Sequence, residues 1–277
     1  MNYRHIYHAG NFADLLKHAV LTELLGGLVR APAPLTVIDT HAGAGLYDLQ
    51  DPAAVRTGEG EAGVGRLMAD ASAPGAFDSL KAAVRRANGA GVRYYPGSPL
   101  LIAEALRTRD RYIACELRPD DNAALKRALP RELGAQVLLE DGWAAAAARA
   151  PRAPAPLLVL IDPPFERADD HAAAVSATRA ILGRNPAAVV AVWTPIKDLA
   201  SFDAFLSDME EATHGRRLLV AEARLRSLSD PMTLNGCAML VVNPLPSLEA
   251  RASEAARWIV RALGASGAAA AVRTAVG

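Results

Sequence analysis

Asp162-Pro163-Pro164-Phe165 follows directly on the apolar run Leu157-Leu158-Val159-Leu160-Ile161. An unbroken run of Leu, Val and Ile reads as a strand buried on both faces, and successive prolines cannot donate to a sheet ladder, so the strand must stop at Asp162. The carboxylate then sits at a strand's carboxyl end, where open α/β sheets form their ligand crevice. A carboxylate, two stiff residues and an aromatic ring suit a planar amino group, and the chemistry expected of them is methyl transfer to such an amine. The plainer reading of this tetrad alone is a stiff turn after a buried strand.

Other acids fall in comparable places. Asp39, Glu116, Asp141 and Asp162 each follow an expected strand in consecutive strand-helix units, so all four should line one edge of a sheet. The first strand, Leu35 to Ile38, runs into Asp39-Thr40-His41-Ala42-Gly43-Ala44-Gly45, and the glycines of this loop allow positive φ and close approach of the backbone to a nucleotide-like cofactor. It is not the dinucleotide fingerprint, because no third glycine follows at the right spacing. Glu116 is placed like the acid that accepts ribose hydroxyls in nucleotide-binding α/β folds. Each acid taken singly can also be read as a helix cap or a surface turn, Asp39 more readily than Glu116. His5, His8, His18 and His41 match no zinc-ligand spacing, so no metal is expected.

Elements that alternate along the chain must carry these groups. After an arm holding Tyr3, Arg4, His5, Tyr7 and His8, Asn11 caps a helix reaching about Arg30, on which Lys17 and His18 ride. Residues 50–95 are rich in Gly, Ala and charge and read as a helical insertion. Ser98 should cap the next helix, Arg111 to Cys115 and Gln136 to Leu139 should be strands, and Pro119 to Leu129 and Trp143 to Arg149 helices. Beyond the tetrad, helices over Asp169 to Leu182 and Phe202 to Ala212 alternate with strands near Ala188 to Trp193, Arg217 to Ala223 and Ala238 to Val242. A last helix covers Glu249 to Leu263, and residues 264–277 read as a flexible tail. The pattern predicts an α/β fold, mostly parallel, in one domain over residues 1–263.

Thirty basic residues balance thirty acidic ones, so no overall field holds nucleic acid and any such contact must be local. Cys115 and Cys237 lie in apolar stretches and fit neither a disulfide framework nor a zinc site. No run approaches the roughly 18 apolar residues that span a bilayer, and no apolar leader opens the chain, so a cytoplasmic protein without membrane contact is expected.

Tyr3-Arg4-His5, His8-Ala9-Gly10-Asn11, Leu16-Lys17-His18, the Asp39 to Gly45 loop, Tyr94-Tyr95-Pro96-Gly97-Ser98-Pro99 and Ile161-Asp162-Pro163-Pro164 together resemble the RlmJ family of 23S ribosomal RNA adenine-N6 methyltransferases. The similarity runs from residue 3 to about Pro244. It implies a class I S-adenosylmethionine-dependent fold, Rossmann-like with a seven-stranded sheet and a helical insertion. It also implies S-adenosyl-L-methionine as cofactor, 23S ribosomal RNA as partner, adenine 2030 as target and a monomeric enzyme. Cofactor contacts are implied at Lys17, His18, His41, Ser98, Glu116, Asp141, Gly142 and Asp162, with Gly43 joining them through its loop. Asp162 would be catalytic, and Tyr3, Pro163, Pro164 and Phe165 would meet the substrate. Phe165 departs from the family's more usual Tyr, and Asp230-Pro231-Met232-Thr233 is less basic than expected. Adenine in DNA or another planar amine is an alternative substrate, and a non-catalytic RNA-binding module is an alternative role.

Overall fold

The side chain of Asn11 accepts the backbone N–H groups of Ala13 and Asp14, which starts helix α1 (Phe12–Leu28) where the capping pattern predicts. Few faces of α1 reach solvent: Leu15, Leu16, Leu21 and Leu24 are fully buried, and so are the polar Asp14, Lys17 and His18. A helix buried nearly all round belongs inside a protein, not on its surface. The computed structural model describes residues 4–230 and 233–276. Tyr3, expected at the substrate, lies outside these residues, as do Pro231 and Met232.

Strand β1 (Thr36–Asp39) follows, and then a short antiparallel pair, β2 (Leu46–Asp48) with β3 (Tyr94–Pro96), closes off the insertion. Between them lie α2 (Pro52–Thr57), a π turn over Glu61–Gly65, α3 (Arg66–Ala69) and α4 (Asp78–Asn88). The insertion is therefore helical, but strands of three residues at its base are too short to show alternation in the sequence. The chain continues through α5 (Ser98–Ala105), β4 (Arg111–Cys115), α6 (Pro119–Ala128), β5 (Gln136–Leu138), α7 (Gly142–Arg149) and β6 (Leu157–Ile161). It ends with α8 (Asp170–Arg184), β7 (Val189–Ile196), α9 (Leu199–Thr213), β8 (Arg217–Arg224), β9 (Gly236–Val242), α10 (Leu248–Leu263) and β10 (Ala269–Val276).

The large sheet has the order β10-β8-β9-β7-β6-β1-β4-β5. Pairing is parallel from β7 through β6, β1 and β4 to β5, and antiparallel where β9 joins β7 and β8. Helices cover both faces. Val37, Leu158 and Leu160 point into one core with α1 and α10, whereas Ile38, Val159 and Ile161 point into the other with Ile181 of α8 and Phe205 and Met209 of α9. The period of two along a strand explains why β6 is apolar at every position: each side chain meets one core or the other, a burial worth about 2 kcal/mol apiece. Chain order reverses between β1 and β6, so their carboxyl ends flank the topological switch point of the sheet. Cys115 and Cys237 are buried free thiols, as their surroundings predict.

The expected seven strands are extended by an eighth. Residues 264–277, read as a flexible tail, contain β10, which pairs antiparallel with β8 from Ala269 opposite Arg224 to Val276 opposite Arg217. Arg273 ion-pairs with Glu222, and the Thr274 hydroxyl donates to Glu249 Oε2 at 2.7 Å. An alanine-rich strand of this kind is held by its backbone ladder, and a reading of side-chain pattern passes over it. Removing residues 264–277 should lower Tm by about 5 °C, since a loss of 1 kcal/mol shifts a chain of this size by ~2–4 °C. An unchanged melting curve would show that β10 contributes nothing to the folded state.

Candidate active site

Four strand ends and one helix converge on a cleft of about 1200 Å³. The loop after β1 contributes Thr40, His41 and Gly43; the ends of β4, β5 and β6 contribute Glu116, Asp141 and Asp162; and α1 contributes Lys17 and His18 from behind. Ser98, Gly142, Pro163, Pro164 and Phe165 also line it. The candidate cofactor and substrate residues, apart from Tyr3, thus line one cleft, whereas Asp39, expected beside them at the sheet edge, is fully buried behind that lining.

The closest contact between these groups is ionic. Lys17 Nζ donates to Asp162 Oδ2 at 2.6 Å and lies 2.7 Å from Asp14 Oδ1, with the lysine side chain 5% exposed. Burial opposes its charge, but the two carboxylates outweigh that and hold the ammonium pKa well above the usual lysine value. Asp14 shows the converse: burial opposes its charge, and His5 and Lys17 hold its carboxyl well below the ordinary range. Lys17, expected as a cofactor contact, lines the cleft while its ammonium bridges two carboxylates of the protein. Asp14 was legible only as a capping partner. Its spacing of three residues from Lys17 on one helix was the available signal.

Asp39, at the end of β1, has no such cation in contact. Its Oδ2 accepts the Ser98 hydroxyl at 2.8 Å and the Tyr112 hydroxyl at 3.4 Å, while its buried Oδ1 has no partner among the described residues. Burial drives its pKa up to about 7; the Ser98 hydrogen bond opposes this and the Asp162 charge adds to it. Ser98 therefore does not cap α5. Gly97 occupies that position, and the serine hydroxyl is given to Asp39.

The loop after β1 is tied to its neighbours through backbone groups. Gly43 N–H donates to Glu116 Oε2 at 2.9 Å, and Arg118 N–H donates to Oε1 at 2.7 Å. Gly43 has φ +68°, and a Cβ there would lie 2.2 Å from the Tyr47 hydroxyl, so both backbone and space require glycine. At Gly142 a Cβ would lie 1.9 Å from the carbonyl oxygen of Thr40, which sets how closely α7 approaches this loop. Asp141 caps α7 by accepting Trp143 N–H at 2.9 Å while its side chain borders the cleft.

Both imidazoles are held neutral. His18 Nδ1 pairs with the Tyr95 hydroxyl at 2.7 Å, its Nε2 is buried without a partner among the described residues, and burial lowers its pKa to about 3. His41 packs edge-on to Trp143 with centroids 4.8 Å apart, meets Thr40 Oγ1 at 2.7 Å, and is lowered by burial to about 4. On the far side of Asp162, Phe165 adopts φ 49° and rests its ring against His171 and Trp193, with centroids at 4.7 and 5.9 Å. Trp143 and Trp193 were not singled out, because lone tryptophans in apolar surroundings carry no signal beyond core packing.

The family described as "Ribosomal RNA large subunit methyltransferase D, RlmJ" has a model that matches residues 32–274. The chain belongs to the RlmJ family. It is similar to "Ribosomal RNA large subunit methyltransferase J" of Escherichia coli K12, with 34% identity over 94% of this chain and 92% of the relative. The protein of the same name from Haemophilus influenzae Rd is 33% identical over 95% and 94%. A crystal structure of a Legionella pneumophila Philadelphia 1 protein superposes with a TM-score of 0.87 at 27% identity, covering 96% of this chain and 98% of that one.

Burial of Asp39 in this RlmJ chain has a measurable consequence. Folded, the group titrates at about 7; unfolded, it titrates at the ordinary carboxylate value, so in between the folded state holds a proton that the unfolded chain has lost. Its contribution to stability is full below the unfolded value and falls as pH rises towards 7. Asp39→Asn imitates the neutral acid at every pH, and its Tm relative to the wild type should rise between pH 5 and pH 8. A pH-independent difference in thermal unfolding would contradict this.

Proposed function

We propose that the chain transfers a methyl group from S-adenosyl-L-methionine to the N6 amino group of an adenine in large-subunit ribosomal RNA, with Asp162 as the catalytic acceptor. The observation that carries this reading is a carboxylate at the end of β6, one oxygen fastened by Lys17, in the same cleft as a second carboxylate, Glu116, at the end of β4. The RNA is the one named in the descriptions of the two relatives and of the family.

The donor set suits the cofactor. Each Glu116 oxygen accepts one backbone N–H and keeps a lone pair for a ribose hydroxyl. Neutral His41 and His18 offer ring faces without adding positive charge beside a sulfonium, and Gly43 and Gly142 keep the backbone close. Lys17, Ser98 and Asp141 complete the cofactor side of the cleft, Lys17 and Ser98 by fixing Asp162 and Asp39. The cofactor, when bound, supplies an electrophilic methyl group. The chain's own residues then prepare the nucleophile.

An adenine amino group is a poor nucleophile because its lone pair is conjugated into the ring. Lys17 occupies Asp162 Oδ2, which leaves Oδ1 to accept one amino hydrogen while the Pro163 carbonyl accepts the other. Two acceptors on one nitrogen draw it out of planarity and aim the lone pair, so positioning and a fixed field carry the catalysis. Asp162 takes the proton once the nitrogen is methylated and becomes acidic. Phe165 and Pro164 form the stacking side for the base, and the family resemblance adds Tyr3 as a substrate contact.

No helix among the described residues is long and apolar enough to cross a membrane. The chain itself provides every group used above, which supports a monomeric enzyme working in the cytoplasm where ribosomal RNA is found. Asp162→Ala should abolish transfer of labelled methyl to ribosomal RNA while the protein still melts cooperatively; retained activity would sink the mechanism. Transfer to duplex DNA in preference to ribosomal RNA would replace the substrate. Phe165→Ala should raise the apparent Kd for RNA about tenfold, the scale of one lost stacking contact, and unchanged binding would remove Phe165 from the substrate side.

A further inference from the structure

Asp14 is buried, 2% exposed, in the first turn of α1, and the fold does not need its carboxylate as a cap, since Asn11 already satisfies the Ala13 and Asp14 N–H groups. Its oxygens are occupied otherwise. Oδ1 meets Lys17 Nζ at 2.7 Å; Oδ2 accepts Gly10 N–H at 2.8 Å and faces His5 Nε2 at 3.0 Å. We propose that Asp14 is a positioning residue for methyl transfer, acting on Asp162 through the ammonium of Lys17 that the two carboxylates share.

Two physical effects support this role. A lysine side chain with four rotatable carbons is poorly fixed by one contact; anchored at both 2.7 and 2.6 Å it has one place to be, and Asp162 Oδ2 is fixed with it. The second effect is electrostatic. An ammonium engaged by Asp162 alone would draw its electron density fully and weaken it as a hydrogen-bond acceptor, whereas division of the ammonium's field between two carboxylates leaves Oδ1 the stronger acceptor for an amino hydrogen. Asp14 also brings the amino-terminal arm into the same circuit, because His5 both contacts it and stands 5.0 Å, centroid to centroid, from Tyr47 at the cleft wall. One carboxylate thus contacts both the arm, through His5, and the acceptor's partner, Lys17.

The inference rests on Asp162 being the acceptor, and the test separates the two claims. Single-turnover methylation of ribosomal RNA at saturating labelled cofactor is measured for wild type, Asp14→Asn, Lys17→Met, the double variant and Asp162→Ala, with cofactor binding followed by calorimetry. Asp14→Asn should slow the reaction about 10- to 100-fold, the scale of a sub-ångström misplacement. In the Lys17→Met background the same change should cost less than twofold, because the path from Asp14 to Asp162 is already cut. A purely structural Asp14 would instead add its full factor in both backgrounds, and that result, or a wild-type rate for Asp14→Asn, overturns the proposal. If Asp14→Asn does not fold, Asp14→Glu, which keeps the charge and displaces the carboxylate, is read by the same comparison. An active Asp162→Ala would fail the proposed function itself; an inactive one beside a normal Asp14→Asn would fail only this inference.

Discussion

An ammonium shared by the buried carboxylate of Asp14 and the partly exposed one of Asp162 ties the first helix of this protein to the carboxyl end of its central strand. Lys17 and Asp162 are 145 positions apart, and their contact at 2.6 Å requires α1 to lie inside the structure, not across its surface. Taking three charges out of water is expensive, and mutual attraction offsets the cost only where geometry is tight and the remaining lone pairs are satisfied. Gly10 N–H and His5 meet that condition at Asp14. The insertion, α10 and the large sheet supply the apolar core against which the other faces of α1 pack.

Identical side chains behave in opposite ways around this centre. Asp14, beside Lys17, stays ionised far into acid, and Asp39, which shares the sheet edge but has no cation in contact, holds its proton up to about pH 7. The difference is one of partners, since both are buried. Asp14 borders the cleft, and Asp39 lies buried behind it.

Much of this architecture was legible in the chain. β4 and β6 fall where the apolar runs and flanking prolines place them, because a strand buried on two faces has few alternative readings. The strand-end acids were legible for the same reason: a strand that must stop exposes its next residue at the crevice. What the sequence did not show are interactions with no local pattern. Asp14 reads as a cap until Lys17 and Asp162 are seen together, Ser98 reads as a cap although its hydroxyl serves Asp39, and β10 is a row of small residues held by main-chain bonds. Each of these depends on a partner distant in the chain, apart from the Asp14 to Lys17 pair.

Phe165 sits in a left-handed backbone conformation that a bulky residue adopts only where its surroundings impose it, and three aromatic neighbours, His171, Trp193 and Phe205, close around its ring. Rotational freedom in that side chain is therefore surrendered when the protein folds, before any nucleic acid is present. Under the proposed function, a base stacked on such a ring would lose its own freedom but immobilise nothing further in the protein, so dispersion and desolvation at the contact would be retained as binding free energy. The absent hydroxyl of a tyrosine would have needed a hydrogen-bonding partner at the same spot; a phenyl ring asks for none, and its packing is complete as the chain folds it.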